Sequence, residues 1–429
     1  MPWLRRFWFR LREPRNRLWV RPAVASIGAV LLALAAAVAP RWIAAGSVPD
    51  IERDTLDGLL TVVASSMLAV TTFSLSIMVS AFASASSSVT PRATELVMDD
   101  EGTRSAIAMF LSAFIYAVVA LVALGMRIYD STGRFVLFLG TVTVLVLLLL
   151  TLIEWVRTLA SLGRLSNTLD KIENAASGAL RHHWRGALMG AQPAPPGTPP
   201  GRPVYADHVA YVRHLGVAAL QALAEDQRLI VHVRVRPGVL IGPGTELARL
   251  VSEDAEDAGA THEELDRRVR DAFYTGAARN FEQDPRFGLI VLSESAQRAL
   301  SPAVNDPGTA IDVMNRLTRA LIETQQVAGA RPEPDAEAPR HARVTLVPLD
   351  EAALVFDGFD PIARDGAGTL EIALRMQRLL AMVAGGSRSG RVAAAAREMA
   401  ARAWTRAERA LPVPAEVDAV RTEHQRLFG

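Results

Sequence analysis

The sequence predicts an α-helical membrane domain of four transmembrane helices followed by a cytoplasmic α+β region. Three observations predict it. Four apolar runs, near 20–39, 59–82, 105–126 and 135–156, approach the roughly 20 residues a helix needs to cross a bilayer, and none has a charge at its middle. Basic residues cluster beside alternate ends of these runs. Beyond residue 157 the apolar pattern breaks into short alternating stretches, Pro-Gly turns and amphipathic periods, as in a folded unit with its own core.

Residues 1–20 form a basic arm. Arg5, Arg6, Arg10, Arg12, Arg15 and Arg17, with Arg21 just after, suit contact with anionic lipid heads, each adding about 1 kcal/mol near a charged surface. The same charges set topology. The first run resembles a signal peptide, with Ala37-Val38-Ala39 mimicking a cleavage site. Pro40 would follow the cut, where its ring fits a peptidase poorly, so the run reads as a retained helix.

The transmembrane domain spans 21–157. Its second run is unusual. Residues 61–90 hold no charge and 13 Ser or Thr residues. Thr72, Ser76, Ser80, Ser84 and Ser88 recur every fourth residue, which places them along one helix face. This stripe either packs closely against a neighbouring helix or lines a wet path.

Orientation follows from the flanking basic residues. With the N-terminus inside, the six arginines of the arm, Arg21, Arg92, Arg104, Arg157, Arg164, Lys171 and Arg181 make thirteen on the inner side. Only Arg41, Arg53, Arg127 and Arg134 lie outside. Both termini and the α+β region are therefore expected in the cytoplasm.

A connecting helix is expected over 158–190, then a Pro-rich linker over 191–203 that interrupts regular structure. A small β-containing unit covers 204–252: a helix near 213–225, a strand over Leu229–Val235, turns at Arg236-Pro237-Gly238 and Gly242-Pro243-Gly244, and a strand over Glu246–Val251. Residues 253–328 read as helical. Thr261 and Glu264 form a capping box before a stripe of Leu265, Val269, Phe273 and Ala277. A second helix covers about 287–300, and Asp306-Pro307 opens a third, an N-cap with Pro at the first helical position. A linker at 329–341 leads to a C-terminal α+β unit, 342–429, with strands near 343–347 and 353–356 and helices near 366–384, 390–410 and 415–427.

Three segments together carry a resemblance: the second run through Thr90-Pro91-Arg92, Arg279 to Pro285 (RNFEQDP), and Arg298 to Ala310 (RALSPAVNDPGTA). The chain resembles a bacterial inner-membrane protein family known as domain of unknown function 2254. The Leu-Ser-Pro-x-x-Asn-Asp-Pro segment is its most specific part, and Val304 stands where the family's usual pattern has Ile. The resemblance implies a multi-span N-terminal part, a cytoplasmic C-terminal part and a bacterial inner-membrane location. It implies no activity.

A second candidate site is the polar set Arg279, Gln283, Asp284, Asn305 and Asp306. Asp284-Pro285 and Asp306-Pro307 read as helix stops and restarts, with Arg279 pairing either Asp. The same groups also suit an anionic ligand or a metal.

Several functional classes find no support. With no cysteine there are no disulfides, thiolate metal sites or Cys nucleophiles. A net charge of +1 gives no nucleic-acid footprint. No phosphate-binding loop, His-Glu-x-x-His helix or Gly-x-Ser-x-Gly elbow occurs, so the sequence weighs against an enzyme and implies no cofactor or metal. With no acidic residue inside a span, a pump built on a membrane carboxylate is not expected. The preferred reading is a channel-like or transport-associated homo-oligomer in the lipid bilayer. The alternative is a membrane-anchored sensor or scaffold whose cytoplasmic part binds a ligand or partner.

Overall fold

The computed structural model describes residues 14–38, 48–88, 90–93, 96, 101–161, 164–252, 261–329 and 340–429. The chain divides into two compact units, Met1–Thr168 and Leu169–Gly429.

The first unit is helical: α1 (Pro14–Val38), α2 (Arg53–Ser88), a 3-10 turn (Pro91–Ala93), α3 (Glu101–Gly125) and α4 (Ser131–Ser161). Helix α5 (Leu165–Arg185) begins here and runs into the second unit. Among the described residues, three helical stretches are long and apolar enough to cross a bilayer: Arg53–Ala81, Gly102–Gly125 and Ser131–Leu159. The span expected near 20–39 is a shorter apolar helix, Pro22–Val38, and residue 39 lies outside the described residues.

Helix α3 is central, with α1, α2 and α4 packed on it. Its sequence explains this. Ala106, Phe110, Ala113, Ala117, Ala120 and Leu124 repeat at spacings of four and three and are all buried. Small side chains along such a seam let neighbouring backbones approach, and close van der Waals contact is what holds helices together in lipid. Two tyrosines add hydrogen bonds across the helices. Tyr116 meets Thr141 Oγ1 at 3.1 Å, and Tyr129 donates to the Ala33 carbonyl at 2.9 Å. The outer surfaces stay apolar: Leu31, Val62, Phe73, Val79, Leu149 and Leu150 are exposed, as lipid-facing residues would be.

The second unit holds two sheets and a helical layer. Its strands are β1 (Ala191–Pro193), β2 (Arg202–Tyr205), β3 (Ala210–Leu215), β4 (Leu229–Val233), β5 (Leu240–Ile241), β6 (Glu246–Ser252), β7 (Phe273–Gly276) and β8 (His341–Leu346). Its helices are α6 (Val217–Asp226), α7 (His262–Asp271), α8 (Phe287–Ala299), α9 (Pro307–Gly329), α10 (Ala352–Asp365), α11 (Leu370–Gly386), α12 (Gly390–Ala410) and α13 (Pro414–Phe428).

The larger sheet has the order β1-β8-β4-β6-β2. Strand β8 enters parallel between β1 and β4, while β6 runs antiparallel to both β4 and β2. Val204, Val231, Val233, Leu250, Val344 and Leu346 pack with Leu220 and Leu223 of α6 to form the core. The smaller sheet, β5-β3-β7, is antiparallel. Helices α8 to α13 form the helical layer. Gly288 of α8 lets α5 come close: a Cβ there would lie 2.4 Å from that of Ala176. An ionic staple reinforces the same junction. Arg316 of α9, only 8% exposed, reaches Asp170 at 2.5 Å, Glu173 at 2.8 Å and Asp312 at 2.8 Å.

The structure departs from the sequence expectations at four places. Ala191–Pro193 and Arg202–Tyr205, read within a linker and its end, are strands β1 and β2; pairing with β8 and β6 overrides the local Pro signals. The helix expected over 213–225 is β3 followed by α6. The stripe through Phe273 and Ala277 stops at Asp271, because Phe273 pairs into the smaller sheet opposite Leu215. The stretch 353–356, expected as a strand, opens α10, where Leu354, Val355, Phe359 and Ile362 bury one face at helical spacing. Of the linker expected at 329–341, residues 330–339 lie outside the described residues.

Candidate functional site

Two features inherit the candidate residues. The first lies on α2. Thr72, Ser76 and Ser80 are exposed, so they do not pack within their own unit. The face continues backward through Ser65, Thr61 and Gly58, all exposed and small. Its polarity is partly met internally: Thr72 donates to the Leu68 carbonyl at 3.0 Å and Ser65 to the Thr61 carbonyl at 2.8 Å. Ser74, outside the predicted stripe, points inward instead, fully buried and with no hydrogen-bond partner for its Oγ among the described residues. The side chains of Ser84 and Ser88 lie outside the described residues, as does most of the basic arm, including Arg5, Arg6, Arg10 and Arg12.

The second feature is a cleft of 310 Å³ in the α+β unit. It lies beside the turn after β4, the loop before α8 and the chain leaving β8. Of the two aspartates expected as partners of Arg279, Asp284 meets it there: Arg279 Nε and Nη2 donate to Asp284 Oδ2 at 2.7 and 2.6 Å. Asp284 is 2% exposed and also accepts from the Arg286 backbone N–H at 3.2 Å. Burial pushes its carboxyl pKa up, and Arg279 opposes the shift. The carboxylate fits because Gly238 has no side chain. A Cβ at Gly238 would lie 2.2 Å from Asp284 Oδ2, and the backbone there is left-handed, φ +95°. The Arg279 guanidinium also sits over the Phe287 ring, 5.0 Å from its centre.

The rest of the predicted polar set is dispersed into structural roles. Gln283 accepts a hydrogen bond from the Leu215 backbone N–H at 2.8 Å, joining its loop to the smaller sheet. Asn305 takes a left-handed turn, φ +49°, and is exposed. Asp306 caps α9, its Oδ1 accepting from Thr309 N–H at 3.0 Å and its Oδ2 from Thr309 Oγ1 at 2.6 Å.

Sequence reasoning missed the cleft's other basic residues. Arg236 belonged to what read as a turn. Its side chain is 8% exposed and donates to the carbonyls of Val347 at 2.8 Å and Ala187 at 2.9 Å. Among the described residues no carboxylate forms an ion pair with it, and burial pushes its pKa down to about 10, against the pull of Asp284. Arg286 grips Asp357 of α10 with two bonds, 2.6 and 3.0 Å. That partner is 71 residues away in the chain and leaves no local signal. Behind Arg236, His183 is buried; desolvation first, then the Arg236 charge, pushes its pKa down to about 4. Among the described residues no group of three or more His, Asp or Glu is placed to hold a metal ion.

This architecture, apolar helices followed by an α+β unit, agrees with what sequence comparison finds. A family described as predicted membrane protein (DUF2254) matches residues 15–382. The chain belongs to the DUF2254 family. Among similar proteins, an uncharacterized protein of Mycobacterium bovis and one of Mycobacterium tuberculosis H37Rv are each 26% identical over 284 residues, covering 65% of this chain and 53% of theirs. The chain spans about half the length of the curated relatives it matches. No solved structure matches this DUF2254 chain.

Proposed function

We propose that this DUF2254 protein is a channel-like or transport-associated homo-oligomer of the bacterial inner membrane, whose copies meet through the outer face of α2. The observation that carries this reading is the exposure of Thr72, Ser76 and Ser80 on a helix long and apolar enough to cross the bilayer. A narrow strip of small, hydroxyl-bearing residues offers lipid little contact but lets a second helix approach closely. Around a symmetry axis the same hydroxyls line a wet path. In this reading Pro22–Val38 is the fourth span, both termini lie in the cytoplasm, and the Arg-rich arm rests on anionic lipid heads.

The chain has no cysteine, so Ser80→Cys provides a single thiol. If copies of α2 surround a wet path, a small polar thiol reagent labels it and a channel-blocking Ser80→Leu leaves assembly intact. If the face only packs, the Ser80→Cys thiol resists the reagent and Ser80→Leu weakens assembly by about 1–3 kcal/mol. A strictly monomeric wild type sinks both versions. It leaves the second reading, a membrane-anchored sensor or scaffold, which the cleft of the α+β unit favours.

A further inference from the structure

We propose that the cleft of the α+β unit binds a phosphate group carried on a small organic ligand or a lipid head. This goes beyond the role of α2 and holds whether or not copies assemble around it.

The charges in the cleft are unevenly spent. Arg279 is committed to Asp284 and Arg286 to Asp357. Arg234 donates Nη1 to the Gly197 carbonyl at 3.3 Å and has a loose ion pair with Glu246 at 3.7 Å, while Arg249 holds the same Glu246 oxygen at 2.8 Å. Arg236 has carbonyl partners and no carboxylate among the described residues. A guanidinium as buried as Arg236 is costly unless an anion compensates it. The remaining lining carboxylate, Asp350, stands exposed at the rim and accepts from the Ala352 N–H at 3.1 Å.

The donors select the ligand. Each Nη of Arg236 gives one hydrogen to a carbonyl and keeps a second. Together with Arg234 this is more donor capacity than the two oxygens of a carboxylate use, and it suits the three terminal oxygens of a phosphate ester. Pro237, Val239, Val347 and Leu349 add an apolar wall for the body of the molecule. Asp284, seated against Gly238, holds Arg279 in place beside the phosphate position.

The test uses the full chain in an uncharged detergent, with inorganic phosphate as probe and chloride at matched ionic strength as control. The expected result is a melting temperature that rises saturably with phosphate and not with chloride. Arg236→Gln and Arg234→Gln each weaken the apparent affinity about tenfold or more. Arg236→Gln also removes two carbonyl bonds and can unfold the unit. Arg234→Gln then decides alone, since it gives up only a long 3.3 Å carbonyl bond and a 3.7 Å ion pair, and the variant should melt close to wild type without phosphate. A parallel arm places the protein in nanodiscs of phosphatidylcholine with or without phosphatidic acid. A response confined to phosphatidic acid and lost in the Arg234→Gln variant assigns the phosphate to a lipid head and supports the site. No saturable response in either arm, or equal responses in wild type and Arg234→Gln, overturns it.

Discussion

Gly238 shows how one residue without a side chain decides the chemistry around it. Gly238→Ala would drive a Cβ into the Asp284 carboxylate at a left-handed position, costing about 1–3 kcal/mol and freeing Arg279 from its partner. Calorimetric unfolding should show the loss. Asp306 works by simpler means: Asp306→Ala removes the α9 cap and should cost about 0.5–2 kcal/mol in the same measurement. His183 sets a pH dependence. Its folded pKa, about 4, lies below the ordinary value of 6.5, so the fold holds it neutral while the unfolded chain protonates. Its contribution is full above about pH 6.5 and is lost as pH falls toward 4, on the order of 3 kcal/mol in all. Thermal unfolding across that window should be steeper in wild type than in His183→Gln.

At the scale of elements, α3 is held by a seam of alanines, and α2 packs into the same core through Leu56, Leu60 and Val63 while its hydroxyl face stays exposed. Ala117→Leu would overfill the seam and should lower detergent-state stability by about 1–3 kcal/mol, whereas Val146→Leu on the exposed face of α4 should change it little. Differential scanning fluorimetry of the two variants separates the cases. The same contrast explains which elements could be read in advance. Helices such as α9 and α12 carry their own start signals and an uninterrupted apolar period, and the structure begins them at Pro307 and Gly390. Strands β1, β3 and β7 carry no such signal. Each is short, and each exists because a distant strand supplies its hydrogen bonds.

Across the whole molecule, membrane character follows from composition, and orientation rests on the basic-residue asymmetry. Reporter fusions at Gly429 and within loop 40–58 should report cytoplasm and exterior respectively; an exterior signal at Gly429 would mean a different number of crossings. By itself the sequence determined the apolar helices, the helical capping signals and the family, and narrowed the partner of Arg279 to Asp284 or Asp306. These depend on run length, residue chemistry and short spacing, all local. Only the tertiary structure decided that Thr72, Ser76 and Ser80 of α2 face outward while Ser74 is buried, and that β8 completes the larger sheet beside β4. It also brought Arg236, Arg279 and Arg286 to one cleft. Those outcomes rest on contacts between residues far apart in the chain. Side-chain packing and backbone pairing select such contacts only once the units have closed around them.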